Sequence, residues 1–244
     1  MASPFVRYHS VWEAKPLLRR IYADFHDRIA RNLVAGPTLE IGGGIGQFKN
    51  RYADVIASDI QQFPGLDVVA DAQALPFADR SLGNIVMIDA LHHIEFPKLF
   101  LEDADRVLRP GGRVVMVEPA ITWGSALFYR FLHQEPVNMA ADPLALGQRS
   151  ADRDPYDSNQ AIPTLLCTRD RHRLTGELPS LAVAHVEWFS FFVYPLSGGF
   201  KSWSLLPEAV GRVGLRLERQ IEPLLGRHLG FRLLAVIEKA EEGA

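Results

Sequence analysis

Five short apolar runs recur along the first half of a 244-residue chain: TLEI at 38–41, DVIASD at 54–59, LDVVAD at 66–71, NIVMIDAL at 84–91 and RVVMVEPA at 113–120. Between the last two, residues 97–108 have a helical pattern, closed by the turn residues Arg109, Pro110, Gly111 and Gly112. Strands that alternate with helices and are apolar on both faces fold as a mainly parallel sheet with helices on each side. A helix is expected before the first strand, because Leu17, Leu18, Ile21, Phe25, Ile29 and Leu33 share one face of residues 17–34 and Gly36-Pro37 comes next.

The first strand runs straight into glycines, in TLEIGGGIGQF at 38–48. A strand, a glycine turn and a helix is how an open α/β sheet holds a nucleotide-like ligand at the carboxyl ends of its strands. The dinucleotide spacing G-x-G-x-x-G fails, because Gln47 stands where the third glycine belongs; no GK[ST] of a phosphate loop is present either. With no Lys or Arg between 38 and 48, the loop offers a phosphate no cation.

These residues resemble the class I S-adenosylmethionine-dependent methyltransferases, small-molecule branch (type 11-like). Glu40 opens the glycine motif, Asp59 ends the second strand, and Asp71 comes after the third in ADAQALPF. IDALHHI at strand four and RVLRPGG before strand five are also common in that branch. The likeness covers 37–119. It implies an α/β, Rossmann-like fold with a seven-stranded, mostly parallel sheet, helices on both faces and an insertion after strand five. S-adenosylmethionine is then the implied cofactor, held by Glu40, Gly42, Gly43, Gly44, Gly46, Asp59, Ile60, Asp71, Ala72, Asp89 and Ala90. Carboxylates suit a ribose diol, since charge-assisted hydrogen bonds exceed what a neutral group gives, and bare backbone at 42 and 44 lets the cofactor approach. Two departures stand out. Only 13 positions separate Gly46 from Asp59, so the first covering helix is expected to be stubby, and Asn84 replaces a frequent Asp.

One domain, 1–244, is expected. Its parts are an N-terminal helical segment at 1–36, a cofactor-binding core at 37–119, a lid or insertion at 120–182, and strands and helix completing the sheet at 183–244. The polar tract GQRSADRDPYDSNQ within 120–182 reads as a lid or as a surface excursion. VAHVEWFSFF and FRLLAVIEKA read as strands. SWSLLPEAVGRVGLRLERQIEPLL reads as helix interrupted by Pro207 and Pro223, covering the core or resting on a membrane surface.

Methyl transfer from a sulfonium asks chiefly for alignment, exclusion of water and, for some acceptors, removal of a proton. Neither a nucleophilic dyad nor a metal cluster is expected. His92 and His93 are candidates for a general base, or a structural signature of the branch. Glu118 is a base or a capping carboxyl. His133 falls in the lid. Tyr8 and His9 close over the cofactor or sit in an exposed tail. Trp188, Phe189, Phe191, Phe192, Tyr194, Phe200 and Trp203, with WGSALFYRFL at 123–132, divide between core and an apolar substrate pocket. The expected reaction moves a methyl group to a small apolar or lipid-linked acceptor; a non-catalytic cofactor-binding subunit and a nicotinamide dehydrogenase are the alternatives. A net charge of −3 argues against nucleic acid. A single Cys167, no signal-like start and no apolar run of spanning length suit a cytoplasmic protein, with peripheral membrane contact left open.

Overall fold

The computed structural model describes residues 4–45, 47–132, 136–150 and 152–241. Seven strands form one sheet: β1 (Thr38–Ile41), β2 (Val55–Asp59), β3 (Val68–Val69), β4 (Leu82–Ile88), β5 (Leu108–Pro119), β6 (Leu181–Phe189) and β7 (Arg232–Lys239). Their spatial order is β3-β2-β1-β4-β5-β7-β6. The first five run parallel, and β7 lies antiparallel to both β5 and β6.

Alternation along each strand sends successive side chains to opposite faces. Ile85, Met87, Val114, Met116, Leu233 and Ala235 build one core layer. Their neighbours Val86, Val115, Val117, Leu234 and Val236 build the other. The apolar-throughout runs therefore mark strands covered twice, as the sequence implies. Helix α1 (Pro4–Ala14) and α2 (Pro16–Ala30) lie on the second layer, where Leu17, Leu18, Ile21, Phe25 and Ile29 are buried. The expected helix over 17–34 stops at Ala30, four residues short. Asn84 anchors the chain just past that point. Fully buried, it accepts from Val34 N–H at 2.9 Å and donates to Val34 O at 2.8 Å and Thr38 Oγ1 at 3.1 Å. It ties the chain leaving α2 to the start of the sheet.

Helix α3 (Gln47–Arg51) has five residues, the stubby element that the short spacing implies. Several other boundaries differ from expectation. LDVVAD supplies only a two-residue strand; Asp67 before it bonds β2 through Ala57, donating its N–H to Ala57 O at 2.9 Å and accepting from Ala57 N–H at 2.8 Å. Arg109 to Gly112 do not separate a helix from a strand. They bulge inside β5 after α4 (Pro97–Val107), with Leu82 opposite Leu108 and then Asn84 opposite Arg113.

Beyond β5 come α5 (Trp123–Leu132), α6 (Ile162–Cys167) and α7 (Arg171–Glu177). Every residue of α6 is buried, so part of the expected insertion is core. His133 lies outside the described residues. After β6, a short α8 (Val193–Ser197) leads to α9 (Glu208–Leu229). Pro207 precedes α9 and Pro223 lies within it without ending it. Nor is α9 a core helix: its buried residues are Gly211, Glu218 and Gly226.

Candidate functional site

The order β3-β2-β1-β4 reverses direction between β1 and β4, and a crevice opens there at the carboxyl ends of the strands. A cavity of about 930 Å³ occupies it. Of the residues expected to hold a cofactor, Glu40, Gly42, Gly43, Gly44, Asp59, Ile60, Asp71, Ala72, Asp89 and Ala90 all line it; Gly46 lies outside the described residues. Size alone does not mark this site. A cleft of about 980 Å³ beside Arg28 is as large, but Arg28 is ion-paired there with Asp24, Glu187 and Glu222.

Backbone amides shape the glycine turn. Gly43 N–H reaches Ser58 O at 2.8 Å and Gly44 N–H reaches Asp59 Oδ2 at 3.0 Å, while Asp59 Oδ1 accepts from Gln61 N–H at 3.0 Å. Burial raises the Asp59 pKa, opposed by these amides. Gly42 has φ +72°, and a Cβ on it would lie 2.8 Å from the Ala90 Cβ. Gly44, with φ +47°, faces open space: a Cβ there would meet only Gly42 O at 3.9 Å. The close approach expected at both positions is thus a contact with the end of β4 at Gly42 and a backbone requirement at Gly44.

Glu40 is 6% exposed and its Oε2 has no hydrogen-bond partner among the described residues. Burial, aided by the Asp59 charge, pushes its pKa up to about 8. An orphaned acceptor on a cavity wall fits a hydroxyl-bearing ligand. Asp71 accepts from Gln73 N–H at 2.8 Å and, on its other oxygen, from Arg149 at 2.8 Å. Arg149 comes from the covering segment, which is stitched to the rim at further points. Ser150 N–H donates to Glu95 Oε2 at 3.0 Å, Arg153 to His93 O at 3.0 Å and Asn159 N–H to His92 O at 2.9 Å.

On the other side of the turn, Asp89 takes φ +55°, strain that its neighbours sustain. Its N–H donates to Val117 O at 3.0 Å, and its carboxylate pairs with Arg232 and accepts from Tyr22 O–H at 3.3 Å. Arg232 is buried; desolvation opposes its charge, but Asp89 holds its pKa well above the ordinary value. The guanidinium lies 4.4 Å from the Tyr194 ring centre. Tyr22, Tyr194 and Arg232 line the same cavity as the glycine turn, and sequence reasoning names none of them as a partner of Asp89. An arginine opening the apolar run RLLAVIEK is the one signal that the sequence offers.

Glu118 is fully buried behind this wall. Its Oε1 accepts from Ala90 N–H at 2.8 Å and Leu91 N–H at 2.7 Å, and its Oε2 lies 2.6 Å from His92 Nδ1. Of its two expected readings, the geometry is that of the capping carboxyl. His92 is buried with it, while His93 is partly exposed on the cavity wall. Asp89, His92 and Glu118 bring donor atoms within 4.8 Å of one another, yet each is already engaged as described, so the trio is a hydrogen-bonded buttress.

Aromatic side chains form much of the remaining wall. Phe128, Tyr129, Tyr194, Phe200, Trp203 and Phe231 line the cavity, while Phe189 and Phe191 are core. Phe192 and Trp123, expected in core or pocket, are 56% and 76% exposed. Tyr8 is no tail residue: it sits in α1, lines the cavity and meets Phe200 edge-on at 5.4 Å. His9 is exposed. Lys15 fixes the loop that carries Phe200 and Trp203. Its ammonium reaches the carbonyls of Ser197 at 2.5 Å, Gly199 at 2.6 Å, and Lys201 and Trp203 at 3.0 Å each.

Comparison with known proteins finds methyltransferases. A family model described as "Methyltransferase domain" matches residues 39–116. A demethylmenaquinone methyltransferase of Paenarthrobacter aurescens is 30% identical over 155 residues, covering 57% of each chain. One of Renibacterium salmoninarum is 34% identical over 94 residues, covering 33% of this chain and 40% of that one. The chain thus spans about half the length of the curated relatives it matches. A solved S-adenosylmethionine-dependent methyltransferase of Thermotoga maritima shares the fold, with a TM-score of 0.58 at 14% identity over 96% of this chain and 98% of that one. Residues 39–116 therefore match a methyltransferase domain, on a fold that the chain shares with a solved S-adenosylmethionine-dependent methyltransferase.

Proposed function

We propose that this protein transfers the methyl group of S-adenosylmethionine to a small acceptor that is apolar or lipid-linked. One observation carries the reading. Glu40, Asp59 and Asp71 line, together with the glycine turn, a cavity that aromatic side chains also line. Bound there, S-adenosylmethionine supplies a methyl group already activated on a sulfonium sulfur. Glu40 and Asp59 hold its ribose hydroxyls, Asp71 faces its adenine, and the backbone of 42–44 and 89–90 shapes the remainder of the cradle. The aromatic side chains exclude water and orient the acceptor, and Arg232 with Tyr22 and Tyr194 fixes Asp89. His93 is the side chain on the cavity wall assigned to take a proton where the acceptor loses one. Cys167 is no candidate nucleophile, since burial pushes its thiol up to about 12.

The relatives' names, demethylmenaquinone methyltransferases, support an apolar acceptor. We place the protein in the cytoplasm, on its lone cysteine, and without a nucleic-acid partner, on its net charge. No helix among the described residues is long and apolar enough to cross a membrane. Calorimetric titration with S-adenosylhomocysteine and with NAD, then turnover against a panel of quinols, phenols and lipid alcohols, tests the reading. Binding of S-adenosylhomocysteine with methylated product is the expected result. Binding without turnover leaves a non-catalytic subunit, and binding of NAD alone makes it a dehydrogenase.

A further inference from the structure

Helix α9 is amphipathic, but its apolar stripe does not face the protein. Val210, Val213, Leu217, Ile221, Leu224 and Leu225 recur at helical spacing and are each between 37% and 78% exposed. What faces inward, apart from a half-buried Leu215 against the second core layer, is small or charged. Gly211 lies against Leu17, Gly214 against Val193 and Gly226 against Trp188. Glu218 Oε1 accepts from Phe192 N–H at 2.6 Å and Val193 N–H at 2.7 Å, and Glu222 pairs with Arg28 at 2.7 Å. Polar tethers and glycines thus fix the helix, leaving the stripe's branched aliphatics for something outside the chain. A monomer in water rarely keeps such a stripe without a partner.

The flank of the stripe says what that partner is. At 3.6 residues per turn, Arg212, Arg216 and Arg227 align beside it, and all three are exposed. Helices that lie in a bilayer interface have this division, aliphatic residues toward acyl chains and guanidinium groups toward lipid phosphates. The segment leading into α9 continues the pattern. Leu205 is 68% exposed, and Trp203 is 43% exposed while also lining the cavity. We infer that α9 docks this protein on the surface of an anionic lipid bilayer, with the cavity mouth at Trp203 held against the membrane. Docking stands independently of the methyl-transfer reading, although a lipid-linked acceptor entering from the bilayer makes sense of both.

The test is sedimentation of the full chain with vesicles of phosphatidylcholine alone and of phosphatidylcholine mixed with phosphatidylglycerol. The expected result is partition at least about tenfold stronger onto the anionic vesicles, falling with added salt. Replacing Leu217→Glu and Leu224→Glu together is expected to abolish it, with the circular dichroism spectrum and melting temperature retained because both residues are exposed. Arg212→Gln with Arg216→Gln is expected to flatten the salt dependence. Wild-type protein that stays in the supernatant with every vesicle overturns the inference. So does a self-association, seen in sedimentation equilibrium without lipid, that the double leucine substitution dissolves, since the stripe then belongs to a second copy of the chain. Neither result touches cofactor binding, which titration reads separately.

Discussion

His92 Nδ1 lies 2.6 Å from Glu118 Oε2, and both side chains are sealed from solvent. The other Glu118 oxygen holds the amides of Ala90 and Leu91, so this carboxylate fixes the turn that carries Asp89. Replacing Glu118→Leu removes the acceptor of the Ala90 and Leu91 amides. The expected loss of stability is about 2–3 kcal/mol in urea unfolding, with weakened S-adenosylhomocysteine binding. A reacting base would instead give full stability and no turnover.

Asp59 joins the end of β2 to the glycine turn through Gly44 N–H. Asp59→Ala is expected to weaken S-adenosylhomocysteine binding by about 1–3 kcal/mol in calorimetric titration, through lost charge-assisted hydrogen bonds. Unchanged affinity would remove the ribose role.

Two glycines separate close contact from backbone conformation. Gly42→Ala meets both a positive φ and the Ala90 Cβ, whereas Gly44→Ala meets the φ requirement alone. Each is expected to cost about 1–3 kcal/mol for the left-handed conformation, with Gly42→Ala the more damaging of the pair. Thermal melts of the two variants side by side check the order.

Lys15 supplies an ammonium to four carbonyls of the loop at 197–203. Lys15→Met leaves those acceptors unmet at a nearly unchanged side-chain length. Faster hydrogen exchange across 197–203 is expected, with a stability loss of about 1–3 kcal/mol.

Glu40 sets a pH dependence. Its folded pKa of about 8 lies above the ordinary carboxyl value of 4.5. Between these values the native state keeps a proton that the unfolded state has lost, so stability falls as pH rises from 4.5 to 8. The slope is at most about 1.4 kcal/mol per pH unit. Glu40→Gln is expected to flatten this part of a stability profile measured without cofactor.

The range of each interaction decides how much of the fold and site is legible in the sequence. Strands β1, β2, β4 and β5, the glycine turn and the three carboxylates are written in local pattern: doubly apolar runs, bare backbone, an acid at a strand end. The partners of Asp89 are not local. Tyr22 and Arg232 lie far from it in the chain: the first meets it when α2 packs on the sheet, the second when β7 packs beside β5. Nor does a 3.6-residue apolar period say which way a helix points. In α9 the inward side is chosen by Gly211, Glu218 and Gly226, whose small size and tethering carboxylate no hydrophobic pattern registers. Pro223 misleads as well: a proline costs an interior helix turn one amide donor, yet the helix runs on through it to Leu229.

Strand order has a consequence for biosynthesis. Since β7 is the last strand in sequence yet sits between β5 and β6, a ribosome delivers both of its neighbours before the strand that joins them. Until it arrives, β5 keeps an unpaired hydrogen-bonding edge of apolar residues, the kind of edge that invites misassembly in a nascent polypeptide. The anchoring guanidinium of Arg232 is delivered at the same late moment, so closure of the sheet and completion of the Asp89 wall are a single event.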